Sequence, residues 1–245
     1  KRMNSQLGTV FFACSDIAAK YAFTENVLNG GHYVKIRNSI DIERYGFNSE
    51  YRNLYRLKLK VEDKCVIGNV ARFVKQKNHG FIIDVLEELL RYKKDYILLL
   101  IGEKSDSEPD VFRKIKEDVK KRKLEKFVIF LGGISDVYKY LNVMDIFLLP
   151  SLFEGLPVSL IEAQASGLQC FVSDTISMET KITDHVHFLS LLAGAKKWAE
   201  QIENITLDDR DNDKEKVIRA GYDMKENAIK LANIYRRMNV SELIS

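Results

Sequence analysis

From Cys65 to Val172 the chain repeats one pattern: a short apolar run, a polar loop, then a segment with apolar residues on one helical face. Cys65–Val70, Tyr96–Gly102, Phe127–Leu131, Ile146–Leu149 and Gln169–Val172 are too short for helices and read as strands. Phe81–Leu90, Val111–Leu124 (starting near Pro109), Asp136–Asn142 and Val158–Ser166 read as the helices between them. Several of these strands are apolar throughout, so their sheet is covered on both faces. The pattern predicts an α/β fold whose parallel sheet carries helices on either side. His187–Leu189 is a candidate last strand, before a helix at 195–204.

The flanks are less regular. Val10–Cys14 reads as a buried strand, with Ser15 or Asp16 capping a helix to about Phe23. A turn at Asn29–Gly31 leads to a second strand, Tyr33–Ile36, and a polar turn, Asn38–Asp41. Residues 42–60 read as one charged connecting helix. Two strands bury too little apolar surface to fold well alone, so this portion needs a neighbour. At the other end, helices are expected near Lys214–Ala220 and over Met224–Met238, with Gly221–Asp223 as a stop and restart. The expected domains are 1–60, 61–210 and 211–245.

Composition narrows the function classes. Of 245 residues, 46% are hydrophobic and 30% charged, which suits a globular protein with a full core. A net charge of +3 is too small to argue for a nucleic-acid partner. The basic run Arg113–Lys123 is interleaved with Glu117 and Asp118 and reads as a solvated helix face, with peripheral membrane contact as the weaker alternative. Cys14, Cys65 and Cys170 are far apart and read as reduced core cysteines of a cytoplasmic protein. No run reaches transmembrane length and no signal peptide is visible. The opening Lys1-Arg2-Met3 suggests a fragment. His32, His79, His185 and His187 show no metal spacing. The D-x-D forms Asp209–Asp211 and Asp211–Asp213 lie in a polar run with no strand feeding it and read as linker, so no metal is expected.

The chemistry concentrates around Ser151–Ala163. A strand ends at Pro150, a loop carries Glu154 and Gly155, and a helix follows, with Pro157 at its first position and Glu162 in its second turn. The free N–H groups and dipole of a helix start favour an anion, while carboxylates accept hydrogen bonds from hydroxyls. A ligand with phosphate and several hydroxyls is a nucleotide sugar. Taken alone, Glu154 and Glu162 would be solvated residues. Two further loops leave the same sheet edge, however: one with Arg72, Lys75 and Lys77, another with Gly132-Gly133-Ile134. Fixed cations suit a diphosphate whose charge grows as a glycosyl bond breaks.

These residues, in this order, resemble retaining glycosyltransferases of family 4, with the GT-B fold of two facing Rossmann-like domains. The resemblance runs through Ala13-Cys14-Ser15, Asn38-Ser39-Ile40-Asp41, Gly68-Asn69-Val70-Ala71-Arg72 with Lys77, Glu154-Gly155-Leu156-Pro157, Ile161-Glu162-Ala163 and Gly167. It looks most like bacterial capsule or exopolysaccharide members. The resemblance implies catalytic roles for Glu154, Arg72 and Lys77: the two cations on the donor diphosphate, Glu154 on the transferred sugar. It places Glu162 on the ribose, the N–H groups of Gly155 and Leu156 on the distal phosphate or sugar, and the backbone of Gly133 and Ile134 on the base. Ser39 and Asn78 stand where the family usually has glycine. Residues 1–60 would be the end of the N-terminal, acceptor-binding domain and a connector. Residues 61–210 would be the donor domain, and 211–245 helices returning to the first.

The implied reaction moves a sugar, from a UDP-sugar in the expected case, to a glycan or lipid-linked glycan at the inner face of the membrane. With most of the acceptor domain missing, this chain is expected to bind donor and transfer poorly. Its unpaired first strands offer a route to a homodimer. The alternatives are a nucleotide-sugar epimerase of the same fold and a non-catalytic Rossmann-like binding module.

Overall fold

The computed structural model describes residues 10–30, 33–93, 95–207, 210 and 213–242. His32, the end of the Asn29–Gly31 turn and most of both D-x-D forms lie outside them.

The chain opens with β1 (Phe11–Ala13), α1 (Asp16–Ala22), α2 (Glu25–Asn29) and β2 (Tyr33–Lys35). Next come α3 (Ile42–Tyr45) and α4 (Ser49–Leu59). The regular alternation follows: β3 (Cys65–Val70), α5 (His79–Tyr92), β4 (Tyr96–Ile101), α6 (Pro109–Lys121), β5 (Val128–Gly132) and α7 (Val137–Leu141). It continues with β6 (Ile146–Leu149), α8 (Val158–Ala165), β7 (Gln169–Ser173), β8 (Val186–Leu189) and α9 (Gly194–Glu203). The tail is α10 (Lys214–Arg219) and α11 (Met224–Glu242).

Among the described residues the strands form two parallel sheets, β1-β2 and a six-stranded sheet in the order β5-β4-β3-β6-β7-β8. Alternation along each strand splits its side chains between two cores. Leu98, Leu100 and Phe171 face α5, α6 and α9 through Ile82, Ile83, Leu86, Val119 and Trp198. Leu99, Cys170 and Val172 face the opposite way, toward Leu141 of α7 and Leu160 and Ala163 of α8, with Tyr55 and Leu59 of α4 at the margin. Each buried aliphatic or aromatic side chain contributes about 1.5–3 kcal/mol, so two full layers explain why this unit holds together. The α/β expectation stands, with helices on both faces.

Most boundaries shift by one to four residues from the sequence reading, and Glu25–Asn29 is an added helix; three differences have a clear local cause. Residues 42–60 are two helices: Gly46 ends α3, and the Asn48 side chain starts α4 by accepting from the Tyr51 N–H at 2.9 Å. The expected helix to Leu124 stops at Lys121, because Lys123 adopts a left-handed φ of 58°. Pro157 is the cap residue before α8, not its first helical residue; its ψ of 99° is still extended.

The connector packs on the larger sheet. Arg56, buried on α4, donates to the carbonyls of Val143, Glu62 and Lys64, and to Asp145 at 3.0 Å. Asp145 also accepts from Arg52 at 2.5 Å and from the Val66 N–H at 2.7 Å, which fixes the start of β6 against β3. A third core joins Ile40 and Ile42 to Ile161 and Ala165 of α8 and to Val217 and Tyr222. Helix α11 then runs to the small sheet, where Tyr235 meets Phe12 (ring centroids 6.3 Å apart) and Lys230 donates to the Lys35 carbonyl at 3.2 Å. Among the described residues no helix is long and apolar enough to cross a membrane.

Candidate functional site

Strand order reverses between β3 and β6. From β3 the chain builds outward through β4 to β5, then returns to the other side of β3 and builds outward again. The loops leaving the carboxyl ends of β3 and β6 therefore part in opposite directions and leave a crevice between them. Arg72 and Lys77 lie in the first loop and Glu154 in the second.

The two loops are stitched together. The Leu152 N–H donates to the Gln76 carbonyl at 2.8 Å, and Gln76 Nε2 donates to the Phe153 carbonyl at 2.8 Å. Lys77 Nζ lies 2.5 Å from Glu154 Oε1, which also accepts from Ser151 Oγ at 2.6 Å. Gln76 Nε2 reaches Glu154 Oε2 at 3.3 Å. The Glu154 carboxylate thus sits among three donors, with its side chain only 6% exposed. Lys77 belongs to the short 3-10 turn Lys75–Lys77, which ends at Asn78 with φ 53° and ψ 44°. This left-handed position is why glycine suits it, and asparagine is among the few other residues that tolerate it. At Ser39 no positive φ is adopted, so that turn has no need of glycine.

Arg72 stands between buried Ala71 and Phe73 and is turned outward by that extended stretch. Among the described residues its guanidinium has no partner, so it is an exposed, available cation at the crevice. Gly155 is exposed, and a Cβ there would meet nothing within 4 Å. Among the described residues the N–H groups of Gly155 and Leu156 have no backbone acceptor, and no side chain caps α8. The start of α8 therefore presents free donors and the positive end of its dipole.

Glu162, a turn and a half into α8, is partly buried between α8 and α3. Burial pushes its carboxyl pKa up, and the nearby Tyr45 phenol pulls it part of the way back. Gly133 and Ile134 follow β5, two strands from β3 and hence about 10 Å away along the same sheet edge. Gly133 is exposed and lies against the Glu103 side chain, where an added Cβ would come within 2.3 Å of Cγ.

The structure brings Lys77 and Glu154 into direct contact, sets Arg72 and the start of α8 on the same crevice, and strings Gly133 and Ile134 farther along its edge. Sequence reasoning missed Gln76 and Ser151, which hold Glu154, and Tyr45, which packs against the core formed with α8. Ser151 had a weak signal in its place directly after the strand-ending Pro150. Gln76 had none. Among the described residues no three His, Cys, Asp or Glu side chains gather as metal ligands would.

Residues 52–224 match the family Glycosyl transferases group 1, and the chain belongs to that family. It is 31% identical over 232 residues to EpsF of Bacillus subtilis (strain 168), a protein whose name classes it as a glycosyltransferase, covering 93% of this chain and 59% of EpsF. It is 28% identical over 145 residues to the UDP-Gal:alpha-D-GlcNAc-diphosphoundecaprenol alpha-1,3-galactosyltransferase of Escherichia coli, covering 57% of this chain and 36% of that protein. The fold matches the crystal structure of Anabaena Alr3699/HepE in complex with UDP-glucose with a TM-score of 0.77 at 18% identity, over 96% of this chain and 66% of that one. The chain therefore spans about three fifths of the length of EpsF.

Proposed function

We propose that this chain is the donor-binding part of a retaining glycosyltransferase, which moves a sugar from a UDP-sugar to a glycan or lipid-linked glycan in bacterial surface polysaccharide synthesis. The observation that carries the reading is the crevice between β3 and β6, where Arg72, Lys77, Glu154 and the uncapped start of α8 converge. The family and the donor and acceptor printed in the name of the Escherichia coli relative support it.

In this reading Arg72 and Lys77 take the donor diphosphate. As the glycosyl bond breaks, the leaving diphosphate gains negative charge, and preorganised cations and helix N–H groups stabilise that charge most in the transition state. Gly155 and Leu156 donate from the start of α8. Glu154, held by three donors, presents its remaining acceptor capacity to the hydroxyls of the transferred sugar. Glu162 accepts from the ribose, and the backbone at Gly133 and Ile134 borders the base. The Lys77–Glu154 pair links the phosphate and sugar ends of the donor, since an ammonium has three N–H bonds and can hold both. Residues 1–60 belong to the acceptor side, 61–210 to the donor side, and 211–245 return to the first. With a lipid-linked acceptor, the reaction lies at the cytoplasmic face of the membrane.

Transfer assays on the full-length protein test this, using UDP-sugars, a polyprenyl-diphosphate glycan and NMR of the product. A glycosidic product with the donor's anomeric configuration is expected. A lone isomerised nucleotide sugar, or an inverted linkage, contradicts the reading.

A further inference from the structure

A polar cavity lies at the other end of the large sheet. Asp145 directly precedes β6, Gln169 opens β7 and His185 directly precedes β8, so all three stand at the amino ends of parallel strands, opposite the crevice. Together with Phe47, Arg52 and Arg210 they line a cavity of about 350 Å³.

Charge is out of balance around it. Arg52 and Arg56 share one carboxylate, Asp145, at 2.5 and 3.0 Å. Arg210 is a third cation, half-buried, with its guanidinium 5.1 Å from the centroid of the Phe47 ring. It donates to the carbonyls of Leu141 and Asn142 at 3.2 to 3.4 Å, and among the described residues it has no carboxylate partner. Asp213 is already engaged, 3.2 Å from His185 Nδ1 and 3.0 Å from Lys216 Nζ. Three arginines against one carboxylate leave two positive charges without a counter-charge. An arginine withdrawn from water is ordinarily paired, because leaving it unpaired is costly. Burial and the nearby Arg52 guanidinium pull the pKa of Arg210 down, as befits a cation short of negative charge. A neutral donor is also to hand. Gln169 has its carbonyl oxygen 2.8 Å from His187 Nε2, and its amide nitrogen has no acceptor among the described residues.

We propose that this cavity is a binding site for a small oxyanion of the phosphate class, held between Arg52 and Arg210 with the Gln169 amide as a further donor. A guanidinium offers parallel N–H bonds that match the oxygens of such an ion, and a dianion balances the two excess charges. Bound there, it fastens α4 and the segment before α10 to the sheet. The site is separate from the donor crevice and does not depend on the donor reading.

The test is calorimetric titration with inorganic phosphate and glycerol 3-phosphate, at an ionic strength held constant with chloride, on the parent, Arg72→Ala, Arg210→Gln and Gln169→Glu. Arg72→Ala weakens any phosphate binding at the crevice. Gln169→Glu keeps the acceptor facing His187 and brings a negative charge to the cavity wall, so it carries the test if Arg210→Gln fails to fold. Phosphate is expected to bind the parent and Arg72→Ala alike and to raise the melting temperature of both. Arg210→Gln and Gln169→Glu are each expected to weaken it about tenfold or more, as losing a hydrogen bond to a charged group does, and to lose the rise in melting temperature. Equal binding of glycerol 3-phosphate assigns the site to phosphomonoesters, and a preference for inorganic phosphate assigns it to the free ion. Binding lost in Arg72→Ala but kept in Arg210→Gln and Gln169→Glu would put the anion in the donor crevice and overturn the proposal. So would no binding to the parent, which would leave Asp208, Asp209 or Asp211, outside the described residues, as the counter-ion of Arg210.

Discussion

Lys77 and Glu154 lie 77 positions apart in the chain and meet at 2.5 Å across the crevice where strand order reverses. Their side chains are 18% and 6% exposed, so the pair is partly withdrawn from water. A withdrawn pair costs little when intact and much when one partner is removed alone. Lys77→Ala and Glu154→Ala are each expected to destabilise the protein, and the double variant by less than their sum. A double-mutant cycle in urea should give a coupling of about 1–3 kcal/mol; strictly additive losses would show that the pair does not couple the two loops.

Arg56 is the larger structural liability. Its guanidinium serves three carbonyls and Asp145, and α4 is fastened to the start of β6 through it. Arg56→Ala leaves Asp145 with Arg52 and the Val66 N–H but removes the side-chain donor of the Glu62 and Lys64 carbonyls, and should cost about 3 kcal/mol. Arg56→Lys should recover only part of this, because an ammonium cannot reproduce the planar fork. Urea unfolding midpoints of the three proteins check both statements.

His79 gives the stability a pH dependence with a definite sign. The ring is buried against Phe73, with neither nitrogen hydrogen-bonded among the described residues, and burial lowers its pKa to about 4. The unfolded chain takes up the proton near pH 6.5, well before the folded one. The contribution is therefore fully present above about pH 6.5, falls as pH drops toward 4, and levels off below. The loss is about 3 kcal/mol over that window. In His79→Phe the part of the slope between pH 4 and 6.5 due to this group should vanish, as pH-dependent denaturation would reveal. An unchanged slope would assign the dependence to other groups.

Gly102 directly follows β4, where the backbone of the β3 loop passes closely. A Cβ added there would lie 1.9 Å from the Ala71 carbonyl oxygen, and backbone cannot yield as a side chain does. Gly102→Ala should cost more than about 2 kcal/mol. Gly155→Ala, with open space around it, should leave stability within about 0.5 kcal/mol. Thermal melts of the two variants make the comparison.

How much of this was readable from sequence follows from the range of each interaction. The strands Cys65–Val70 and Ile146–Leu149 were legible to the residue, because a buried parallel strand must be apolar on both faces. Their adjacency was not, since the chain order of the runs carries no record of which strand sits beside which. Glu154 and Lys77 could be chosen for their chemistry, but their contact required the strand order. The break at Gly46–Asn48 was written in a glycine and a cap residue yet was overridden by the charged run around it. Arg52 and Arg56 share a helix face at i and i+4, a signal that two cations had a common partner. Tyr45 was hidden because it packs against α8, which lies more than a hundred positions away in the chain.

The account stands or falls on the donor site. Calorimetric titration with UDP, GDP and ADP, with and without magnesium, on the parent, Arg72→Ala and Glu162→Ala is the most direct measurement. The account predicts that UDP binds without added metal and that each substitution weakens it at least tenfold, about 1.4 kcal/mol or more, with no change in melting temperature for the exposed Arg72. Tight binding unaffected by either substitution would place the nucleotide elsewhere and contradict the account.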